Sequence, residues 1–218
     1  MKKSGFTLSE MLIALVIIGV VSAITAPVLR GLMPNQNKIM IKRAYNITTN
    51  VVKNMIDNTE LYSPFSGDST EMVYKGFDNT ESVTYNGKTY SGASKFGDLF
   101  LNSIGATDIS TDTCQIDFQS KYTTESSSYT CSYGFTKNGV KWYVMNPSLS
   151  DVAAFIMIDV NSDKKPNCTQ SDDACKSKTN GFDRFVVEVM NNGEVLFNTK
   201  DSWAKETIDL QSAVNSKE

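Results

Sequence analysis

The spacing of apolar residues changes character twice along the chain. From Met11 to Leu29 there are 19 consecutive positions without a charge, and as helix they would rise about 28 Å, close to the hydrocarbon thickness of a bilayer. Beyond them Ile41, Ala44, Thr48, Val51 and Met55 recur at three- and four-residue intervals, with Tyr45 and Val52 beside them, which describes one apolar helical face. Lys38, Lys42, Arg43 and Lys53 fall mostly off that face. The pattern predicts a helix over residues 6–57, about 78 Å long, whose residues 6–29 are a transmembrane spine. Its second half lays its stripe on a body. Pro27 should kink it by deleting a backbone bond, and Pro34 leaves open whether it is continuous near residues 31–36.

Past Asn58 short strand-like pieces separated by turn residues take over. Val83–Tyr85 and Lys88–Tyr90 flank Asn86-Gly87, a strong hairpin signal. Residues 95–104 form an amphipathic helix, Cys114 to Cys131 reads as a polar loop, and Ser132–Phe135 with Val140–Met145 flank a second turn, Lys137-Asn138-Gly139. Ala153–Val160 is the most apolar piece and should be a central strand. Arg184–Met190 turns through Asn191-Asn192-Gly193 into Glu194–Phe197. Four or five antiparallel strands packed on the helix stripe make an α+β fold, since helix and sheet must each cover an apolar face. The tail after Asp201 is polar, with Trp203 pinning its start and residues 211–218 frayed.

Charge separates the same two parts. Residues 1–54 carry seven basic groups against one acid, Glu10, whereas 55–218 carry 14 basic and 23 acidic groups, a net charge of −9. An acidic body argues against broad nucleic-acid binding, which needs clustered Lys and Arg. There are no histidines, so the commonest general base and metal ligand are both missing. No motif for a carboxylate pair or a Ser-Lys dyad takes their place, and an enzyme is not expected.

Glu10 is the informative residue of the N-terminus. An ordinary secretory signal, with Lys2 and Lys3 as its positive region and a cut near Ser22–Ala26, has no use for a carboxylate at the start of its apolar run, where burial costs several kcal/mol unless the charge is paired. It would also leave Pro27 directly after the cut. Gly5-Phe6-Thr7-Leu8-Ser9-Glu10 followed by an uncharged helix resembles instead the processing motif of type IV prepilins and type II secretion pseudopilins. The resemblance implies a leader, residues 1–5, removed between Gly5 and Phe6 by a prepilin peptidase that methylates the new Phe6 amine. It implies a pilin-like fold with a long helix, 6–57, and a periplasmic or extracellular domain, 58–218. Glu10 would pair with the Phe6 amine of a neighbouring subunit, and Gly19 and Pro27 fall where many members let the helix melt or bend in the filament. The implied partners are other pilin subunits, the bacterial inner membrane and an assembly platform, and the route runs from membrane precursor to periplasmic or cell-surface filament.

Export makes disulfides the better reading of Cys114, Cys131, Cys168 and Cys175. Of three pairings the sequential one, Cys114–Cys131 and Cys168–Cys175, is expected. The segment from Asp159 to Phe185 resembles, less specifically, a C-terminal segment of many pilin-like subunits. Its alternating oxygens, Asp159, Asn161 and Asp163, suit the start of a calcium site. Lys164 and Gln170 stand where an EF-hand loop needs Gly and Glu, and the favoured expectation is a turn held by side-chain bonds and a disulfide. The principal functional expectation is thus a structural filament subunit without a cofactor, calcium being the one candidate. The alternative is a filament-displayed adhesin or DNA-uptake subunit using aromatics such as Tyr122, Tyr129 or Trp142.

Overall fold

The computed structural model describes residues 8–32, 36–66, 73–117, 126–146, 151–162, 164, 167–170, 182–198 and 202–215. The chain divides into two compact units, Met1–Ile39 and Met40–Glu218. In the first, helix α1 spans Leu8–Leu32 and runs through Pro27. Helix α2, Gln36–Asp57, begins in its last residues and lies mainly in the second. Residues 33–35 lie outside the described residues, and so does the question of a break at Pro34.

In the second unit α2 is followed by two short pairs, β1 (Phe65–Ser66) with β2 (Val73–Tyr74) and β3 (Val83–Tyr85) with β4 (Lys88–Tyr90). Asn86 and Gly87 turn the second pair with φ of 51° and 76°, the left-handed values that a two-residue I′ turn demands and that Asn and Gly tolerate best. Helix α3 (Lys95–Ser103) comes next. A six-stranded antiparallel sheet then forms from β5 (Thr107–Asp117), β6 (Ser126–Phe135), β7 (Lys141–Met145), β8 (Val152–Asp159), β9 (Arg184–Met190) and β10 (Val195–Phe197). Its spatial order is β10-β9-β8-β7-β6-β5, so each strand pairs with its neighbours in sequence. Helix α4, Ser202–Asn215, closes the described chain.

Strand β8 is central, as its composition predicts, and all eight of its residues are buried. Ala154, Ile156 and Ile158 enter one apolar cluster, whereas Phe155 and Met157 enter another on the opposite face, joined by Val152 beyond a register irregularity at Ala153. The period of two puts alternate side chains on opposite faces, so a strand apolar at every position needs cover on both. The sheet has six strands where four or five were expected, because the two ends of the expected Cys114–Cys131 loop, Cys114–Asp117 and Ser126–Cys131, belong to strands β5 and β6; residues 118–125 between them lie outside the described residues. Residues Thr107–Asp117 and Ser126–Phe135 are rich in Ser and Thr, and their pairing comes from the register between them, Cys114 opposite Tyr129 and Asp112 opposite Cys131. Polar sequence alone does not disclose such pairing.

The stripe of α2 buries Ile41, Ala44, Thr48, Val52 and Met55 in the larger cluster. Val52 is fully buried where the sequence pattern placed Val51, which is half-buried. Thr48 hides its hydroxyl by donating to Ala44 O at 2.9 Å, so the burial leaves no unmet polar group. Tyr45 stacks on Phe197 (centroids 4.4 Å apart) and donates to Val195 O, tying α2 to β10. A run of rings, Tyr62–Phe77–Phe96–Phe100–Trp142, links the loop after α2 through α3 to β7, with successive centroids 4.9, 5.0, 6.2 and 5.8 Å apart. Gly76 is required where it stands: its φ is +55°, and a Cβ there would collide with the backbone carbonyl of Asn191.

The tail departs from expectation in the same way. Ser202–Asn215 is helical, including 211–215 of the stretch expected to fray, while residues 216–218 lie outside the described residues. Trp203 does pin the start, at 5.4 Å from the ring of Phe182 and 6.3 Å from Phe185. Gln170 Oε1 accepts from Trp203 N at 3.1 Å, so a loop side chain meets one of the orphan N–H groups of the first turn.

Candidate functional site

Helix α1 presents the most unusual surface of the described residues. Leu8, Met11, Leu12, Ile13, Leu15, Val16, Ile17, Ile18, Val20 and Val21 each leave 52–82 % of their surface exposed. They occur on every side, so the helix lacks the polar face that a surface helix of a soluble protein carries. Covering an apolar side chain of this size stabilises by about 1.5–3 kcal/mol. Ten of them, already half shielded by their own helix, stand to gain on the order of 10 kcal/mol from lipid or a neighbouring protein.

Glu10 lies in the first turn of this helix, exposed, near the positive end of the backbone dipole. Once the surrounding apolar surface is covered, the carboxylate needs an opposite charge beside it. An ideal Cβ at Gly19 would meet nothing within 4 Å, so nothing among the described residues requires a glycine there. Pro27 lies within the backbone of α1, while Gly5 and Phe6 lie outside the described residues. Among the described residues no helix is long and apolar enough to cross a membrane. The apolar side chains that are described end at Ala23; from Leu8 that is about 24 Å of helix, short of an about 30 Å hydrocarbon core.

Cys114 and Cys131 form a disulfide, with Cα atoms 6.0 Å apart on the adjacent strands β5 and β6. Cys168 is also disulfide-bonded, and Cys175 lies outside the described residues.

The Asp159–Asp183 region is organised around its own charges. Asp159, fully buried, accepts from Arg184 Nε at 2.8 Å. Burial pushes its carboxyl up, and the Arg184 guanidinium pulls it partly back. Asp183, also fully buried, accepts from Cys168 N (2.5 Å), Asn167 N (2.9 Å) and Asn161 Nδ2 (3.0 Å). This is the turn held by side-chain bonds. Of the three residues read as calcium ligands, Asp159 is committed to Arg184, and Asn161 offers only its buried, unbonded Oδ1. Asp163 lies outside the described residues. Calcium takes six to eight oxygens, and the described donors do not fit one. Among the described residues no group of three His, Cys, Asp or Glu side chains is placed to hold a metal.

Two further positions escape the sequence pattern. Lys95, 2 % exposed, donates to Asp78 O at 3.1 Å and sits 4.4 Å above the Tyr62 ring. Burial pushes its amine down and the phenol of Tyr62 well up. The ammonium thus fastens the Asp78 segment over α3. Trp142, read as a candidate binding aromatic, is fully buried, with Nε1 donating to Thr136 Oγ1 at 3.1 Å. Tyr122 and the side chain of Tyr129 lie outside the described residues.

Residues 1–26 match the model of the prokaryotic N-terminal methylation motif, the prepilin signal of type IV pilins and pseudopilins. The match covers Gly5, Phe6, Glu10 and Gly19 and leaves the body outside it. Neither a curated protein nor a solved structure matches the chain.

Proposed function

We propose that this chain, a type IV pilin-like subunit carrying a prepilin signal, is cut between Gly5 and Phe6, methylated at the Phe6 amine, and polymerised into a type IV pilus or type II secretion-type filament. Proteins with this motif are structural subunits processed by prepilin peptidase and assembled with other pilin subunits. The observation that carries the reading is the coincidence of that motif with a helix apolar on all sides and bearing one carboxylate in its first turn. Before assembly, residues 6–29 lie in the inner membrane, where lipid covers the apolar surface. An assembly platform then lifts the subunit into the filament, where neighbouring helices cover it. Glu10 takes the Phe6 amine of the adjacent subunit as its counter-charge, because each charge becomes tolerable in an apolar interior only beside the other. The disulfides suit the oxidising compartment into which the body is exported.

The test is mass spectrometry of the N-terminal peptide of protein taken from native membranes, beside a Glu10→Gln variant. The expected peptide begins at N-methylated Phe6 in both proteins, while the variant fails to enter sheared filaments. A start near Ala26 would make the chain a secreted protein and end the proposal. Normal filament incorporation of the variant would remove the role given to Glu10.

A further inference from the structure

A groove of about 570 Å³ opens in the body where α2, the β3–β4 hairpin and α3 meet. Its floor includes Met55 and Leu99, both 1 % exposed. Four asparagines line it: Asn54 and Asn58 from the end of α2, Asn86 from the hairpin turn and Asn102 from the last turn of α3. Two of these amides are partly engaged. Asn58 Oδ1 accepts from Glu60 N at 2.9 Å, leaving its NH₂, and Asn102 Nδ2 donates to Asp98 O at 2.7 Å, leaving its oxygen as an acceptor. Tyr85 and Tyr90 add aromatic rings, and Lys88 lies over the Tyr90 ring with Nζ 5.3 Å from its centroid.

The charge of this lining narrows the ligand. In a body with a net charge of −9 no carboxylate lines the groove among the described residues, and Lys88 is the one charged group of that described lining. A metal cation finds no carboxylate ligand among the described lining residues. An anion meets the C-terminal ends of two helices, α2 and α3, which are the negative ends of their dipoles. What remains is an uncharged ligand with many paired donors and acceptors and an apolar face. Primary amides present a donor and an acceptor side by side and so match vicinal hydroxyls, while an aromatic ring packs on the C–H face of a pyranose. The volume lies in the range of small-molecule sites and accommodates one or two sugar rings. We propose that this groove binds a neutral saccharide, one or two units long, with Asn54 and Asn86 supplying amide hydrogen bonds and Tyr85 the stacking surface. The inference stands independently of filament assembly.

Saturation-transfer difference NMR tests it, on the full chain in dodecylphosphocholine, a detergent without a sugar headgroup. The probes are lactose, maltose and N,N′-diacetylchitobiose, with N-acetylneuraminic acid and tetra-alanine as the charged and peptide comparisons. Asn54→Ala and Asn86→Gly are the informative variants: the first keeps a good helix former and the second keeps the left-handed turn. At least one neutral disaccharide should receive saturation, with affinity about tenfold weaker in each variant, as expected for one or two lost hydrogen bonds. No transfer to any of the three, unchanged affinity in both variants, or preferential binding of the sialic acid or the peptide would overturn the assignment.

Discussion

Glu188 gives this body a pH-dependent stability of defined sign. It stands within β9 opposite Phe155 of β8 and Leu196 of β10, and is 5 % exposed. Its carboxyl accepts from Asn198 Nδ2 at 3.1 Å and faces no cation among the described residues. Burial therefore pushes its pKa up from 4.5 to about 7. Between those values the unfolded chain has released the proton that the folded chain retains, so stability falls as pH rises. The stabilisation is full below about pH 4.5 and is lost on passing about pH 7. At 1.36 kcal/mol per pKa unit the full span is worth about 3 kcal/mol, of which about 2–3 fall between pH 5 and pH 8. The window is uncrowded because the chain has no histidine. Asp159, also raised by burial, acts in the same direction, so the decisive quantity is a difference between two proteins. Urea unfolding of the wild type and Glu188→Gln, followed through the fluorescence of buried Trp142, supplies it. Glutamine keeps an oxygen for Asn198 and cannot ionise. The two proteins should be nearly equal at pH 5, and the variant about 2–3 kcal/mol more stable at pH 8. Parallel pH profiles would refute the reasoning, because they would mean that Glu188 ionises in the folded body without penalty.

Other expectations are simpler. The double variant Cys114→Ser/Cys131→Ser, which opens a link with a sequence separation of 17, should lose about 3 kcal/mol in urea unfolding; an unchanged midpoint would mean that the strand pairing alone holds β5 to β6. Arg184→Leu leaves Asp159 buried without its counter-charge and should cost about 3–5 kcal/mol at neutral pH. The loss should shrink as the pH falls, because a protonated Asp159 needs no counter-charge, and a loss independent of pH would point to packing instead. Removal of divalent cations with EDTA should leave the melting temperature unchanged, and a drop reversed by added calcium would show that the ion stabilises the body.

The elements most legible in the sequence are those whose signal is local. Asn86-Gly87 specifies its hairpin because few other dipeptides tolerate two left-handed residues in succession. Ala153–Val160 announces a central strand because only cover on both faces suits apolar side chains at every position. The motif around Gly5, Phe6 and Glu10 is legible for a related reason: a carboxylate at the head of an apolar helix is costly until a second charge arrives, and the sequence alone shows that expense. Tertiary structure decided the rest. The polar stretches 107–117 and 126–135 became strands because each found the other in register, and residues 202–215 became helix because Trp203 found Phe182 and Phe185 and Gln170 met its first turn. Glu188, Lys95 and the groove between α2, α3 and the hairpin belong to the same class. Whether a polar side chain is buried, what satisfies it, and which asparagines converge are facts about distant segments packed together, and no periodicity along one segment carries them.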